Sequence, residues 1–499
     1  MLRAKSMSSP GMTSIIRGSA WLYFGSVISN LAGFFYWMII SAVGGVEVVG
    51  LTSTTYSLAG LVTGILSLGG EIGVRRFLGV CIGKRDREGV VNYFWSTVLF
   101  RIATFTPVGL VMVILGLLGV SIGSLTADML FYAGIIVVLN TTLVFDELLI
   151  SHLNTRPIFI GALIGNAVRL PLGVCLVLVG WGWIGAVIGI ITMTPVAFAI
   201  KLLPSLKLVG FKLRFKISAV KDVLKAGLAS WLPSVMTLLG AQLGVLTLFG
   251  VRGALETGLY YVAFAIVSVV VMISQSILGL IMPVLSGLEN GRKRTCQRAI
   301  KISLVLSTPL AFALFAYPET PLKMLGEEYV EASCMLMLLT LTIPALTISS
   351  GVTSLLYAYG AYITILVVGL VGNLTRIVFY AVLSQIAGGA GIALGYTLGS
   401  YVALIAAVVA SRKIRFNPGF REVLVAITPP LLLALALRTF NINWFIGIPV
   451  ILVLTYIVYL KTRLLSREDV RELVYAIAPR KTVDKAYELL KPVVDRLLE

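Results

Sequence analysis

The sequence holds 499 residues but only one histidine, four cysteines and 22 acidic residues. A lone His152 builds neither a conventional metal site nor a catalytic triad. Cys81, Cys175, Cys296 and Cys334 show neither metal-ligand nor disulfide spacing. No cleavable leader is evident, because the basic start at Arg3, Lys5 and Arg17 runs into an apolar stretch too long for a signal peptide. Charged residues make up only 12% of the chain, against 58% hydrophobic. No cofactor is called for by any of these patterns.

Apolar runs of membrane-crossing length recur from end to end, so the chain reads as an all-α integral membrane protein with about fourteen transmembrane helices. The longest internal connection, about Lys201 to Lys225, leaves no room for a folded extramembrane domain. The formal charge of +18 is not a nucleic-acid footprint. Of the 40 Lys and Arg, 34 fall in the two termini and alternate loops, three (Arg252, Lys323, Arg438) in the opposite loops, and three (Arg101, Arg169, Arg376) within spans. This asymmetry places both termini in the cytoplasm of a multi-pass cell-membrane protein, with its basic face against anionic lipids.

Three landmarks repeat at nearly one offset. Gly165-Asn166-x-x-Arg169 returns as Gly372-Asn373-x-x-Arg376, 207 positions on. Gly45 and Gly50-Leu51 match Gly253 and Gly258-Leu259 at 208, and Gly185 to Gly189 matches Gly391 to Gly395 at 206. The offset spans six helices, an even number, so the repeats are parallel. The expected plan is an N-terminal six-helix half (1–203), a basic cytoplasmic linker (204–225), a C-terminal half (226–411), helices 13 and 14 (412–460) and a cytoplasmic amphipathic tail (461–499). Parallel halves around a central cavity are a transporter plan, working by alternating access.

Within that plan, Leu68-Gly69-Gly70-Glu71-Ile72-Gly73-Val74-Arg75-Arg76-Phe77 with Gly83-Lys84-Arg85-Asp86, the stretch Leu325 to Ala332 around Gly326-Glu327-Glu328-Tyr329, and Gly45 to Leu51 resemble the polysaccharide flippase branch of the multidrug/oligosaccharidyl-lipid/polysaccharide (MOP) superfamily. The resemblance covers the layout of the whole chain. It implies translocation of an isoprenoid-pyrophosphate-linked oligosaccharide, with no enzymatic step. It leaves room for a coupling ion, H+ or Na+, and for glycosyltransferases of the same pathway as partners. A multidrug or cation antiporter of the same fold is the alternative, disfavoured because no Asp or Glu lies near a span centre. A membrane glycosyltransferase or polymerase is disfavoured by the short outer loops.

Arginine suits a diphosphate through bidentate charge-assisted bonds. Arg169 lies too deep to snorkel easily and is expected to face a cavity or another helix. Arg376, nearer the outer end, can snorkel or face the cavity, and Arg101, within reach of the inner surface, is expected to snorkel or else to contact substrate. Asn166 and Asn373 buttress the arginines or join helices. Asn30, Gln242 and Gln275, on spans one, seven and eight, touch sugar or serve as interhelical polar contacts. Glu71 and Arg75, at i and i+4 on the inner end of span two, form a gate latch or a surface ion pair. Spans one, two, seven and eight carry no charge near their middles. The arginines of spans five and eleven therefore reach substrate only if those helices also line the cavity.

Overall fold

The computed structural model describes residues 12–465 except 212 and 289. The helical patterns expected on either side of Pro479 lie outside the described residues. Those residues are helical almost throughout, with one isolated bridge, Ile122 to Leu125. Ten helical runs are long and apolar enough to cross a membrane, which makes this a multi-pass membrane protein. Four of the ten, at 46, 54, 49 and 53 residues, are too long for one crossing. At 1.5 Å per residue each would extend about 70–80 Å through a core of about 30 Å. If each of the four crosses twice, ten runs become the fourteen spans expected.

Each long run breaks near its middle. In α1 (Met12–Leu66) the break is Gly45, with φ 80° and ψ 176°. In α8 (Ile217–Gly287) it is Gly253, with φ 80° and ψ −167°. These two glycines stand 208 positions apart in the same conformation, one that side-chain-bearing residues rarely adopt. Gly182 and Gly388 form a second matched pair, at φ 52°, ψ −135° and φ 53°, ψ −129°. Gly45 and Gly253, which repeat in the sequence, thus recur as matching breaks, and Gly182 with Gly388 adds a matched pair that the sequence landmarks did not include.

The chain forms two compact units. The first contains the residues up to Ala265 together with Ile377–Ile392. Its further helices are α2 (Gly70–Gly83), α3 (Arg87–Leu117), α4 (Ala127–Leu139), α5 (Val144–Ser151), α6 (Arg156–Leu176) and α7 (Gly182–Val209). At its inner end Val74, Leu78, Phe94, Trp95, Phe145 and Leu148 form a buried cluster. The second half of α1 lies antiparallel along the first part of α8. A Cβ on Gly50 would overlap the Ala254 carbonyl, one on Gly258 the Val46 carbonyl, and one on Gly64 the Leu238 side chain. The first two contacts are the same contact seen from the two repeats, since each residue stands 208 positions from its counterpart. Small residues matter here because apolar surface gains little by leaving lipid, so close backbone approach supplies the attraction.

The second unit contains Ile266–Arg376 and the described residues from Ala393 to 465. Its helices include α9 (Arg292–Ala316), α10 (Glu319–Lys323), α11 (Ser333–Thr340), α12 (Thr342–Ala358), parts of α13 (Tyr362–Ser411), α14 (Phe420–Thr439) and α15 (Trp444–Lys461). Its main core gathers Leu278, Ile300, Leu304, Val352, Leu355 and Tyr459. Thr308 Oγ1 lies 3.0 Å from Tyr459 Oη and donates to the Ala426 carbonyl, joining α9, α14 and α15.

Candidate functional site

Arg169 projects from α6 toward the first half of α1. Its guanidinium stands 4.4 Å from the centre of the Tyr36 ring. Nη2 reaches the Ala32 carbonyl at 3.4 Å and Nη1 faces the Met193 sulfur at 3.6 Å, both weak contacts. Nε has no hydrogen-bond partner among the described residues. Arg169 is only partly buried, and its Nη contacts are weak. Tyr36 itself is fully buried and donates to the Ala186 carbonyl. Gly173 and Gly189 leave room for that hydroxyl, because a Cβ on either would crowd it.

Around this pair lie further aromatic residues that sequence reasoning did not single out. Tyr56 and Tyr261 are within electrostatic range of Arg169. The Trp37 ring stands 4.5 Å from that of Tyr261. Tyr56 is 40% exposed. The elements meeting here are both halves of α1, α6 and the second part of α8. A cation set among tyrosines and a tryptophan offers phosphate a charge-assisted partner and sugar rings flat apolar faces. The available signal was positional, since Tyr36 lies six residues past Asn30 on the first span.

Arg376 is placed differently. It is 7% exposed, and both Nη groups are engaged, while Nε has no hydrogen-bond partner among the described residues. Nη1 donates to Asn373 Oδ1 at 2.9 Å and Nη2 to Ser400 Oγ at 2.8 Å, while the guanidinium lies 4.3 Å from the Tyr396 ring centre. Asn373 Nδ2 donates back to the Gly369 carbonyl. The two motifs are therefore alike in sequence and unlike in setting. Asn166 does not bond Arg169. Its Nδ2 donates to Ala162 and its Oδ1 is unpaired among the described residues.

The remaining polar residues scatter. Asn30 is exposed on α1. Gln242 lies against Gly60, its amide 3.3 Å from where a Cβ would stand. Gln275 Nε2 donates to Ser350 Oγ at 2.9 Å.

The inner-end charges correct two expectations. Arg101 does not snorkel. It is 2% exposed and pairs with Glu71 at 2.8 Å. An arginine so deep in apolar surroundings needs a counter-charge nearer than the membrane surface. Glu71 and Arg75 accordingly do not pair with each other. Arg75 instead makes a bidentate pair with Glu147, with Nη2 to Oε1 at 2.9 Å. Lys201 pairs with Asp146 at 2.8 Å. Three acids and three bases from α2, α3, α5 and α7 thus form a neutral ladder. Asp146 and Glu147 each have a basic partner, which leaves neither free to hold a cation.

No protein-family model and no curated protein matches the sequence. Solved structures do match. A lipid II flippase MurJ in an inward closed conformation aligns with a TM-score of 0.69 at 16% identity, over 88% of this chain and 97% of that one. A multidrug resistance MATE family transporter of the MOP superfamily aligns in its inward-facing conformation with a TM-score of 0.60 at 16% identity, over 79% and 98%. The outward-facing conformation of such a transporter gives 0.55 at 16% identity, over 83% and 98%. At these identities the likeness is one of fold: the chain has the helical architecture shared by MurJ and the MATE transporters of the MOP superfamily.

Proposed function

We propose that the protein is a MOP-type transporter that moves an isoprenoid-pyrophosphate-linked oligosaccharide across the cell membrane by alternating access. The observation that carries this reading is Arg169. It is a deep, partly open guanidinium whose Nη groups make only weak contacts, seated on Tyr36 and near Tyr56, Trp37 and Tyr261. The diphosphate meets the guanidinium, and the sugars lie against the aromatic faces. Asn30 and Gln242, on α1 and α8, are the amide groups best suited to sugar hydroxyls. Arg376 and Asn373 act as an internal brace in this scheme, because Arg376 is buried and both its Nη groups and the Asn373 amide are committed to Asn373, Ser400 and Gly369. Gln275 is likewise committed to Ser350. The ladder that includes Glu71 and Arg75 holds the inner end of the first half together and serves as the gate-side anchor.

Cation antiport by the same fold is less well supported. The ladder carboxylates are each paired with a base, and the deep charge is positive. The test is reconstitution of the full chain in liposomes. Labelled lipid-pyrophosphate oligosaccharide is followed in one set and a cationic dye in another. Wild type is expected to move the lipid and not the dye, and Arg169→Ala to lose lipid transfer about tenfold or more, as for one lost charge-assisted hydrogen bond or two. Dye export without lipid transfer would overturn the function. Full lipid transfer by Arg169→Ala would overturn the site.

A further inference from the structure

A second site lies on the outer side of the second unit. A cavity of about 890 Å³ opens where three spans end, lined by residues after α9, in α10, at the end of α14 and at the start of α15. Its lining includes Lys323 and Arg438, two of the three basic residues that the charge asymmetry leaves on the outer side. One acid, Glu319, lines it with them, so the lining carries a net charge of about +1, two bases less one acid.

Neither base is fully engaged. Arg438 Nη1 donates to the Ala316 carbonyl at 3.0 Å, and Nη2 reaches Glu319 only at 3.3 Å. Lys323 is 55% exposed and stands 3.8 Å from Glu327, an open i,i+4 pair that contributes little. Tyr317, 9% exposed, also lines the cavity, and its hydroxyl, against Gly447, has no hydrogen-bond partner among the described residues.

The surroundings are apolar and interfacial. Trp444 opens α15 and lines the cavity, while Phe440, Phe445 and Met324 are 75%, 73% and 82% exposed beside it. Tryptophan at a span end marks the headgroup level of a bilayer. Polar floor, basic lining and an apolar rim at that depth match an amphiphile whose charge is on its head.

We propose that this cavity binds the phosphate of an anionic phospholipid headgroup in the outer leaflet, with Arg438 and Lys323 as its cationic contacts. The chemistry shared with free phosphate is the anion, while the apolar rim favours the lipid source. The site shares no residue with the Arg169 setting and does not depend on the transport reading.

The test uses the full chain in nanodiscs of an equimolar phosphatidylglycerol and phosphatidylcholine mixture, with retained lipid identified by native mass spectrometry. Wild type is expected to retain phosphatidylglycerol preferentially. The variant K323Q/R438Q is expected to lower that preference about tenfold or more, as for two lost charge-assisted contacts. Should it fail to fold by thermal melting, K323Q alone, a change at an exposed residue, is expected to lower the preference several-fold, about half the effect in logarithmic terms.

Glu319→Gln separates binding from bracing. A binding Arg438 released from its carboxylate strengthens the preference. A purely structural clasp leaves it unchanged while lowering the melting temperature, which would overturn the proposal. Equal retention of both lipids by wild type would overturn it as well. So would displacement of phosphatidylglycerol by millimolar inorganic phosphate, which would assign the site to a free anion.

Discussion

Tyr36 and Tyr380 make the same kind of contact from opposite partners of a duplicated helix pair. Tyr36 packs over Gly173, and Tyr380 stands 207 positions beyond Gly173. Gly244, which stands 208 beyond Tyr36, has the Tyr380 ring 3.3 Å from where its Cβ would be. Tyrosine and glycine have exchanged places between the repeats, and the contact survives. The exchange bears on the arginines. In the first half the ring available to Arg169 is Tyr36, on the first span. In the second half that place is a glycine, and Arg376 stacks on Tyr396, which stands 207 positions beyond Gly189.

Replacing the Arg169 platform should therefore separate ring from hydroxyl. Tyr36→Phe keeps the cation–π contact and is expected to retain most lipid transfer while losing some thermal stability. Tyr36→Leu removes the ring, a contact of about 0.5–2 kcal/mol, and is expected to cut transfer severalfold. Initial rates in proteoliposomes and scanning fluorimetry distinguish the two.

Arg376→Ala is expected to behave as a packing defect. It strands Ser400 and Asn373 and leaves a void beside Tyr396. The melting temperature should fall by an amount corresponding to about 1–3 kcal/mol. Transfer normalised to folded protein should fall less than for Arg169→Ala. An Arg376→Ala protein of wild-type stability with abolished transfer would make Arg376 a substrate contact instead.

The Gly50 contact should reject side chains. Gly50→Val places a branched group against the Ala254 carbonyl, an overpacking cost of about 1–3 kcal/mol. Gly79→Ala in α2, where nothing lies within 4 Å, serves as the control and should melt with wild type. Equal melting temperatures for both variants would remove the close approach as a stabilising feature.

His152, in the turn after α5, gives a pH dependence with a defined sign. Burial holds its pKa below the ordinary 6.5, against a smaller opposing effect from the Leu148 carbonyl, which its Nδ1 meets at 2.9 Å. The unfolded chain therefore binds the proton more readily. This group's contribution to stability is complete well above pH 6.5 and is eroded as the pH falls below it. His152→Gln should flatten the wild-type slope of melting temperature between about pH 7 and pH 5. Parallel slopes would exclude His152 as a source of that dependence.

Much of the architecture was legible in the residues. Recurrent apolar runs gave the helices, and Gly45 and Gly253 gave matching breaks, because a reversal of that shape has few alternatives to glycine. The ion pairs were less legible. Glu71 and Arg75 have ideal helical spacing, but a buried Arg101 competes for the same carboxylate, and only the fold brings it within 2.8 Å. The settings of the two arginines were hidden for another reason. Gly-Asn-x-x-Arg is the same string twice, and its direction is decided by whether Tyr36 or Tyr396 supplies the ring. Trp37 and Tyr261 meet only through tertiary packing, so neither carried a local signal.

The ladder at the inner end limits how this half can move. Glu71–Arg101, Arg75–Glu147 and Asp146–Lys201 tie α2, α3, α5 and α7 across every neighbouring junction they span. Parting any pair would leave its buried member, Glu147, Arg101 or Lys201, without its counter-charge, which is unfavourable even though the partners are partly solvated. For the transporter proposed above, these four helices are then expected to travel as a single block, with bending left to the glycine breaks at Gly45, Gly182, Gly253 and Gly388.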